Sequence, residues 1–506
     1  MRALAILGLA VALFPANAAA QTFRVVVVPD LERADLDRLS SQGAVGLLVP
    51  GAGPKTSERA ALASLDRGQV RNSLRNGLPA GPRLITHGTA AEPPVSGPAI
   101  VLSLPRGGEQ PNDRRYPIAV LGRGYRGLLT SDSTRIPGLV GIADVAPTAL
   151  GRADGLGSQS DEAPVAELER LDARIDANNG SRKTASRLAA VLLVLLALTA
   201  PRAALLGVVA LLATNLLLGI VGPESESVLL ASVVLAVALG GPAASLVLRS
   251  AGGVGLALAG VLGAYLLAFL VDERWVALSP LGPTQNARFY GISNLLETLL
   301  LVPALAGGAL LARRHLALLG VVAALAFVVI AANRFGADGG GAIVLAVAFA
   351  VLAASLAGAG RRGLALAIGA ALALVVGAIA LEAATGATSH VTRALESGPD
   401  GLASELRDRV ALSYARATEH WQNVAIVLGG ILALGALAIR MLRSSIPLSE
   451  RALPLAFLAA IATSLVVNDS PVDVVIAGLA CYLAVEWYAL RTQPAGGLLL
   501  LVGREP

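Results

Sequence analysis

Ala203-Ala-Leu-Leu-Gly-Val-Val-Ala-Leu-Leu-Ala-Thr-Asn-Leu-Leu-Leu-Gly-Ile-Val221 carries no charged side chain. A helix of this length runs about 30 Å, the thickness of a bilayer's hydrocarbon core. Similar apolar runs recur at 188–200, 228–247, 252–271, 294–311, 316–332, 342–358, 363–383, 422–439, 452–467 and 471–490. Together they predict an α-helical multi-pass membrane protein of about 11 spans. Composition points the same way: the chain is 55% apolar and only 15% charged, with a mean hydropathy of +0.68. Soluble domains rarely have such a balance.

The net charge of +5 is no nucleic-acid signal, because the basic residues are scattered and sit largely at span ends. Aromatics at 4% offer no stacking platform for bases. The single cysteine, Cys481, lies within a span, so one chain can form neither a disulfide nor a thiolate metal site.

Residues 1–20 read as a signal peptide. Arg2 precedes the apolar core Ala3–Phe14, and small residues follow at A-x-A spacing in Ala16, Ala18 and Ala20. Residues 21–150 are then expected outside the cytoplasm. The apolar runs Val25–Val28, Ala44–Val49, Ala99–Leu104 and Ile118–Leu121 alternate with helix-like stretches such as Leu31–Gln42. This alternation predicts an α/β domain with a mainly parallel sheet. Residues 151–187 read as a linker containing a helical piece over Ala163–Ala177, 188–490 as the transmembrane domain, and 491–506 as a cytoplasmic tail.

Walking inward from an external N-terminal domain, the cytoplasmic loops carry Arg202, Arg249, Arg313, Arg314, Arg361, Arg362, Arg440, Arg443, Arg451 and Arg491. This is the positive-inside pattern of a plasma-membrane protein. The polar motifs all fall on the other side. Arg288-Phe-Tyr290-Gly-Ile-Ser-Asn294 leads into a span bearing Glu297, three residues from Asn294 and on the same helical face. An ionisable group within a span marks a functional site by default, with Arg288 a possible countercharge. Asn333-Arg334-Phe-Gly-Ala-Asp338 echoes that loop, and Arg334 could clamp a phosphate or carboxylate.

In the longest loop, His390 could act as a general base, with Arg393 nearby. Leu402, Leu406, Val410 and Tyr414 follow at four-residue spacing, as in a helix lying at the membrane surface. Asn468-Asp469-Ser470-Pro471 stands at a helix junction, where Asp469 or Ser470 could also serve only as a cap. Gly122-x-Gly124-x-x-Gly127 matches a dinucleotide fingerprint, but no clear helix opens after it in an exported domain, and it is set aside.

The N-terminal domain resembles the alkaline phosphatase/sulfatase-like superfamily at two places. Val25-Val-Val-Val-Pro-Asp30 looks like the first strand ending in a metal-binding Asp, and Arg135 to Leu150, with Asp144-Val-Ala-Pro-Thr, looks like the closing segment. The resemblance implies a metal ligand at Asp30 and a nucleophile at Thr56 or Ser57. Asp144 reads better as a helix N-cap. Two-metal hydrolysis needs about six ligands, whereas this domain has one histidine, His87, and no Asp-His pair. The resemblance therefore implies a degenerate domain that binds or positions, and no metal or other cofactor is assigned.

The membrane half looks like an uncharacterised bacterial family joining such a domain to a multi-span region. In layout it is similar to lipid-linked glycan ligases and polymerases. The expected function is action at the outer leaflet on a phosphate-bearing or lipid-linked substrate. Arg288, Tyr290, Asn294, Arg334, Asp338, Arg393 and Asn468 would bind it, and Glu297, His390 and Asp469 would handle protons. A non-catalytic scaffold recruiting an envelope protein, and a transporter or flippase, are the alternatives. The partner common to all three is the lipid bilayer.

Overall fold

The computed structural model describes residues 21–75, 78–79, 81–93, 97–285, 288–384 and 398–492, with backbone alone for 378–384, 398–406 and 492. The signal-peptide reading, His390 and Arg393 lie outside the described residues.

The N-terminal region is an α/β domain. Its strands are β1 (Arg24–Val27), β2 (Gly43–Val49), β3 (Lys55–Thr56), β4 (His87–Thr89), β5 (Ala99–Leu102), β6 (Gln110–Pro111), β7 (Tyr116–Leu121), β8 (Gly127–Thr130), β9 (Leu139–Gly141) and β10 (Gly157–Gln159). The large sheet runs β10-β8-β2-β7-β5-β1-β4, with β9 also paired to β2. Every residue of β2 is buried, as expected of a strand covered on both faces.

The sheet is mixed rather than mainly parallel. β7 is antiparallel to both neighbours, with Ala119 opposite Val45 on β2 and Val101 on β5. The cause lies between β5 and β7, where the chain holds only the two-residue β6. A parallel return needs a crossover, usually a helix, and none is there. The Gly122–Gly127 stretch is the turn from β7 to β8, with positive φ at Gly124 and Gly127, and no helix follows it.

The helices of this domain are α1 (Arg33–Ser40), α2 (Glu58–Arg67) and α3 (Val145–Ala149). The expected linker at 151–187 is corrected. β10 completes a sheet edge, and Pro164 opens α4 (Pro164–Thr199), 36 residues long. Leu168, Leu171 and Ile175 pack under the sheet with Leu36, Val45 and Val101. That i, i+3, i+7 stripe is hidden among charged neighbours in the sequence. One rigid helix thus carries the chain from the domain into the bundle, and the short run 188–200 is its apolar end.

Among the described residues, seven helices are long and apolar enough to cross a membrane: α5 (Pro201–Val221), α6 (Glu226–Val247), α7 (Ala251–Val271), α9 (Asn294–Ala312), α11 (Gly339–Leu356), α14 (Trp421–Arg443) and α16 (Pro471–Thr492). The apolar helices α10 (Ala317–Ile330) and α15 (Ala452–Val467) are shorter. α8 (Arg274–Ala277) is a single turn, and α12 (Arg361–Ala384) and α13 (Gly398–Thr418) complete the set. α9 is the axis, with 94% of its apolar window buried against 17% for α14.

The segment between α7 and α9 fastens domain to bundle. Asn215, fully buried in α5, donates to the Tyr265 hydroxyl and Ser279 Oγ, both at 3.0 Å, and accepts from Leu281 N at 2.9 Å. From α4, Arg174 Nε donates to the Leu278 carbonyl at 3.2 Å, and burial pushes its guanidinium down to about 10. Ala277, Leu278 and Phe289 join Leu168 and Leu171 in one apolar cluster.

Candidate functional site

Because the helices alternate in direction, the segments 288–294, 333–341, 409–423 and 468–473 meet at one end of the bundle. The turns bearing Arg202, Arg249, Arg313 and Arg361 join the other ends of the same helices. The polar end and the N-terminal domain enclose a cleft of about 1950 Å³. Among its lining residues are Ser131, Ser133, Arg135 and Asp144 from the domain, Lys183 and Arg187 from α4, and Asn294, Arg334, Asp338 and Asp469 from the bundle.

The two Arg-Phe loops are stapled to each other. Arg288 donates to the carbonyls of Ala337 at 2.6 Å, and of Ile292 and Gly336 at 3.2 Å. The Ile292 amide adds a bond to Gly336 O at 2.9 Å. Gly291, at φ +74°, faces the same carbonyl, and a Cβ there would collide with it. The expected countercharge for Glu297 is thus corrected: Arg288 spends its donors on backbone oxygens, which sequence does not display. Tyr290 is sandwiched by cations, with Arg135 at 4.3 Å and Arg288 at 5.2 Å from its ring centre. Arg135 holds a left-handed φ of +58°, unusual for a non-glycine residue. It also donates to Asn333 O at 3.3 Å and lies 3.8 Å from Glu273. Its contribution from across the domain boundary was not legible in the sequence.

The α9 start and the α15–α16 junction then interlock. Ser293 caps α9, accepting from Leu296 N at 3.1 Å. One turn of α9 points both Asn294 and Glu297 at the junction. Asn294 Nδ2 donates to Asp469 Oδ1 at 2.8 Å, and Asn468 Nδ2 donates to Glu297 Oε2 at 2.5 Å and to Ser464 Oγ at 2.8 Å. Arg416 of α13 approaches the same Asp469 oxygen, at 3.2 Å. Asp338 caps α11, accepting from Gly340 N at 3.0 Å and Gly341 N at 3.1 Å, and it also contacts Glu297. Glu297, Asp338 and Asn468 are all buried, and Arg334 is exposed to the cleft.

On α13, Leu402 and Leu406 lie outside the residues whose side chains are described, Val410 and Tyr414 are exposed, and Leu412 and Ser413 are buried.

In the domain, Asp30 is largely exposed and pairs with Arg106. Ser57 caps α2, accepting from Ala60 N at 3.3 Å, and Thr56 is buried in β3. Asp144 does not cap α3 with its side chain. Its Oδ2 accepts from Ser131 and Ser133, both at 2.6 Å, and from Gly141 N at 3.0 Å. Burial raises this carboxyl above the usual range, against the pull of the two serine hydroxyls. The expected absence of an Asp-His pair is also corrected. Asp66 Oδ1 lies 2.8 Å from His87 Nδ1, and Arg83 binds the other oxygen. The two residues are 21 positions apart, and tertiary folding joins them. Among the described residues, no three His, Cys, Asp or Glu side chains gather as a metal cluster.

Comparison with models of known families, with curated proteins and with solved structures finds no match. The site must therefore be read from its own chemistry.

Proposed function

We propose that this is an integral protein of the bacterial plasma membrane, with about 11 spans and an extracytoplasmic N-terminal domain, that admits a phosphate-bearing or lipid-linked headgroup to its cleft. One observation carries the reading. Lys183, Arg187 and Arg334 line the cleft and are exposed, and among the described residues none forms an ion pair. Lys183 and Arg187 stand immediately before the apolar end of α4, where a headgroup layer would meet the helix if that end enters the bilayer. Unpaired cations facing a roomy cleft at headgroup level fit an anionic group. The resemblance of the domain to the phosphatase-like superfamily agrees with a phosphate-bearing ligand, the domain serving as one wall of the cleft.

A transport reading draws on a different observation, the buried Glu297–Asp338–Asn468 cluster below the cleft floor. Profiling of lipid-linked precursors decides for the headgroup reading. Cells lacking the protein are expected to accumulate one phosphate-bearing lipid, and the triple variant Lys183→Glu, Arg187→Glu, Arg334→Glu to fail in restoring the normal profile. A deletion profile identical to the parent's refutes it.

A further inference from the structure

Beneath the cleft floor, three buried oxygen atoms have no hydrogen-bond donor: Glu297 Oε1, Asp338 Oδ2 and Asn468 Oδ1. Their residues come from three helix ends, the first turn of α9, the cap of α11 and the residue ending α15. The donors that bind these three residues are directed at their other oxygens. Asn468 Nδ2 serves Glu297 Oε2, and the Gly340 and Gly341 amides serve Asp338 Oδ1. Arg288, the basic residue that precedes Glu297 in sequence, is turned to backbone carbonyls.

Two ionised carboxyls in contact can only accept hydrogen bonds, so without a cation between them they repel. Leaving such oxygens bare and out of water is costly. Gly340 keeps the place open, since a Cβ on it would run into Asn468 Oδ1 and come within 3.3 Å of Asp338 Oδ1. Asn468 Oδ1 and the Asp338 carboxyl therefore both border Gly340, which places the Asn468 amide oxygen on the Asp338 side of the cluster.

We infer that Glu297, Asp338 and Asn468 hold one sodium ion. Oxygen-only ligands select a hard cation. The charge sum selects a monovalent one. With both carboxyls ionised around a bound ion they would carry −2, and the N-termini of α9 and α11 would offset about half a charge each, leaving roughly one negative charge for the ion to balance. The cleft supplies the entry path, because Asn294, Asp338, Gly339 and Asp469 line its floor. This site stands independently of the headgroup reading, which concerns cations on the cleft wall.

The test uses the full chain in lipid nanodiscs with a chelator present, following thermal unfolding while sodium chloride replaces choline chloride. Sodium is expected to raise the midpoint saturably, by about 2–4 °C at full occupancy. Glu297→Gln and Asp338→Asn are expected to flatten that response. A wild-type midpoint indifferent to sodium overturns the assignment even if both variants fail to fold. A rise produced by calcium alone, or by acidification alone, overturns it equally, assigning the pair a divalent ion or a proton.

Discussion

Two buried charged clusters in this molecule are built differently. At the domain–bundle junction, Arg115, with its side chain 1% exposed, binds Asp172 Oδ1 at 2.5 Å and Asp176 at 2.5 Å. Arg33 closes on the other oxygen of Asp172, and Gln285 lies 3.4 Å from Arg115 while binding Asn112 Oδ1 at 3.0 Å. Charge is balanced, and the carboxylate oxygens of Asp172 are both engaged. In the Glu297–Asp338–Asn468 cluster, two acids face each other with no guanidinium between them and three oxygens unserved. The first arrangement fastens parts together. The second has a place for something that is not part of the chain. Completeness of partnering, rather than burial, separates a structural cluster from a candidate binding site.

Substitutions can break or sharpen this contrast. The largest effect is expected at the complete cluster. Arg115→Ala leaves Asp172 buried with only the half-exposed Arg33, and should destabilise the protein by about 3 kcal/mol. Thermal unfolding checks it, and a loss within error would mean that the junction is not held by these charges. Gly340→Ala should cost about 1–3 kcal/mol, because the added methyl must displace the Asn468 amide. If Gly340→Ala proves neutral, Asn468 is not confined as described. Glu297→Gln should have the smallest effect on stability. In sodium-free buffer its unfolding midpoint should equal or exceed that of the wild type, since it removes an uncompensated acid. A drop comparable to that of Arg115→Ala would place Glu297 in the structural class.

The legible part of the site was its location. Alternating apolar spans force every second loop to one end, so Arg288, Asn294, Arg334, Asp338 and Asp469 had to gather. Asn294 and Glu297, three apart on a helix, had to share a face. Their partners were not legible. Arg288 serves carbonyls that every residue possesses, and Asp338 serves helix amides, neither of which leaves a mark in side-chain identity. The domain behaved alike: its apolar strands stood out, while the direction of β7 and the docking of α4 depended on connections without a periodic signal.

By itself, then, the order of residues determined the length and alternation of the apolar helices and the end at which polar groups collect, because hydrocarbon accepts few unpaired polar atoms. The tertiary structure alone decided which of those groups neutralise one another and which keep an oxygen without a donor. Hydrogen bonds and ion pairs depend on distances between segments far apart in sequence, such as Asn468 and Glu297 at 171 positions, and only the packed chain sets them.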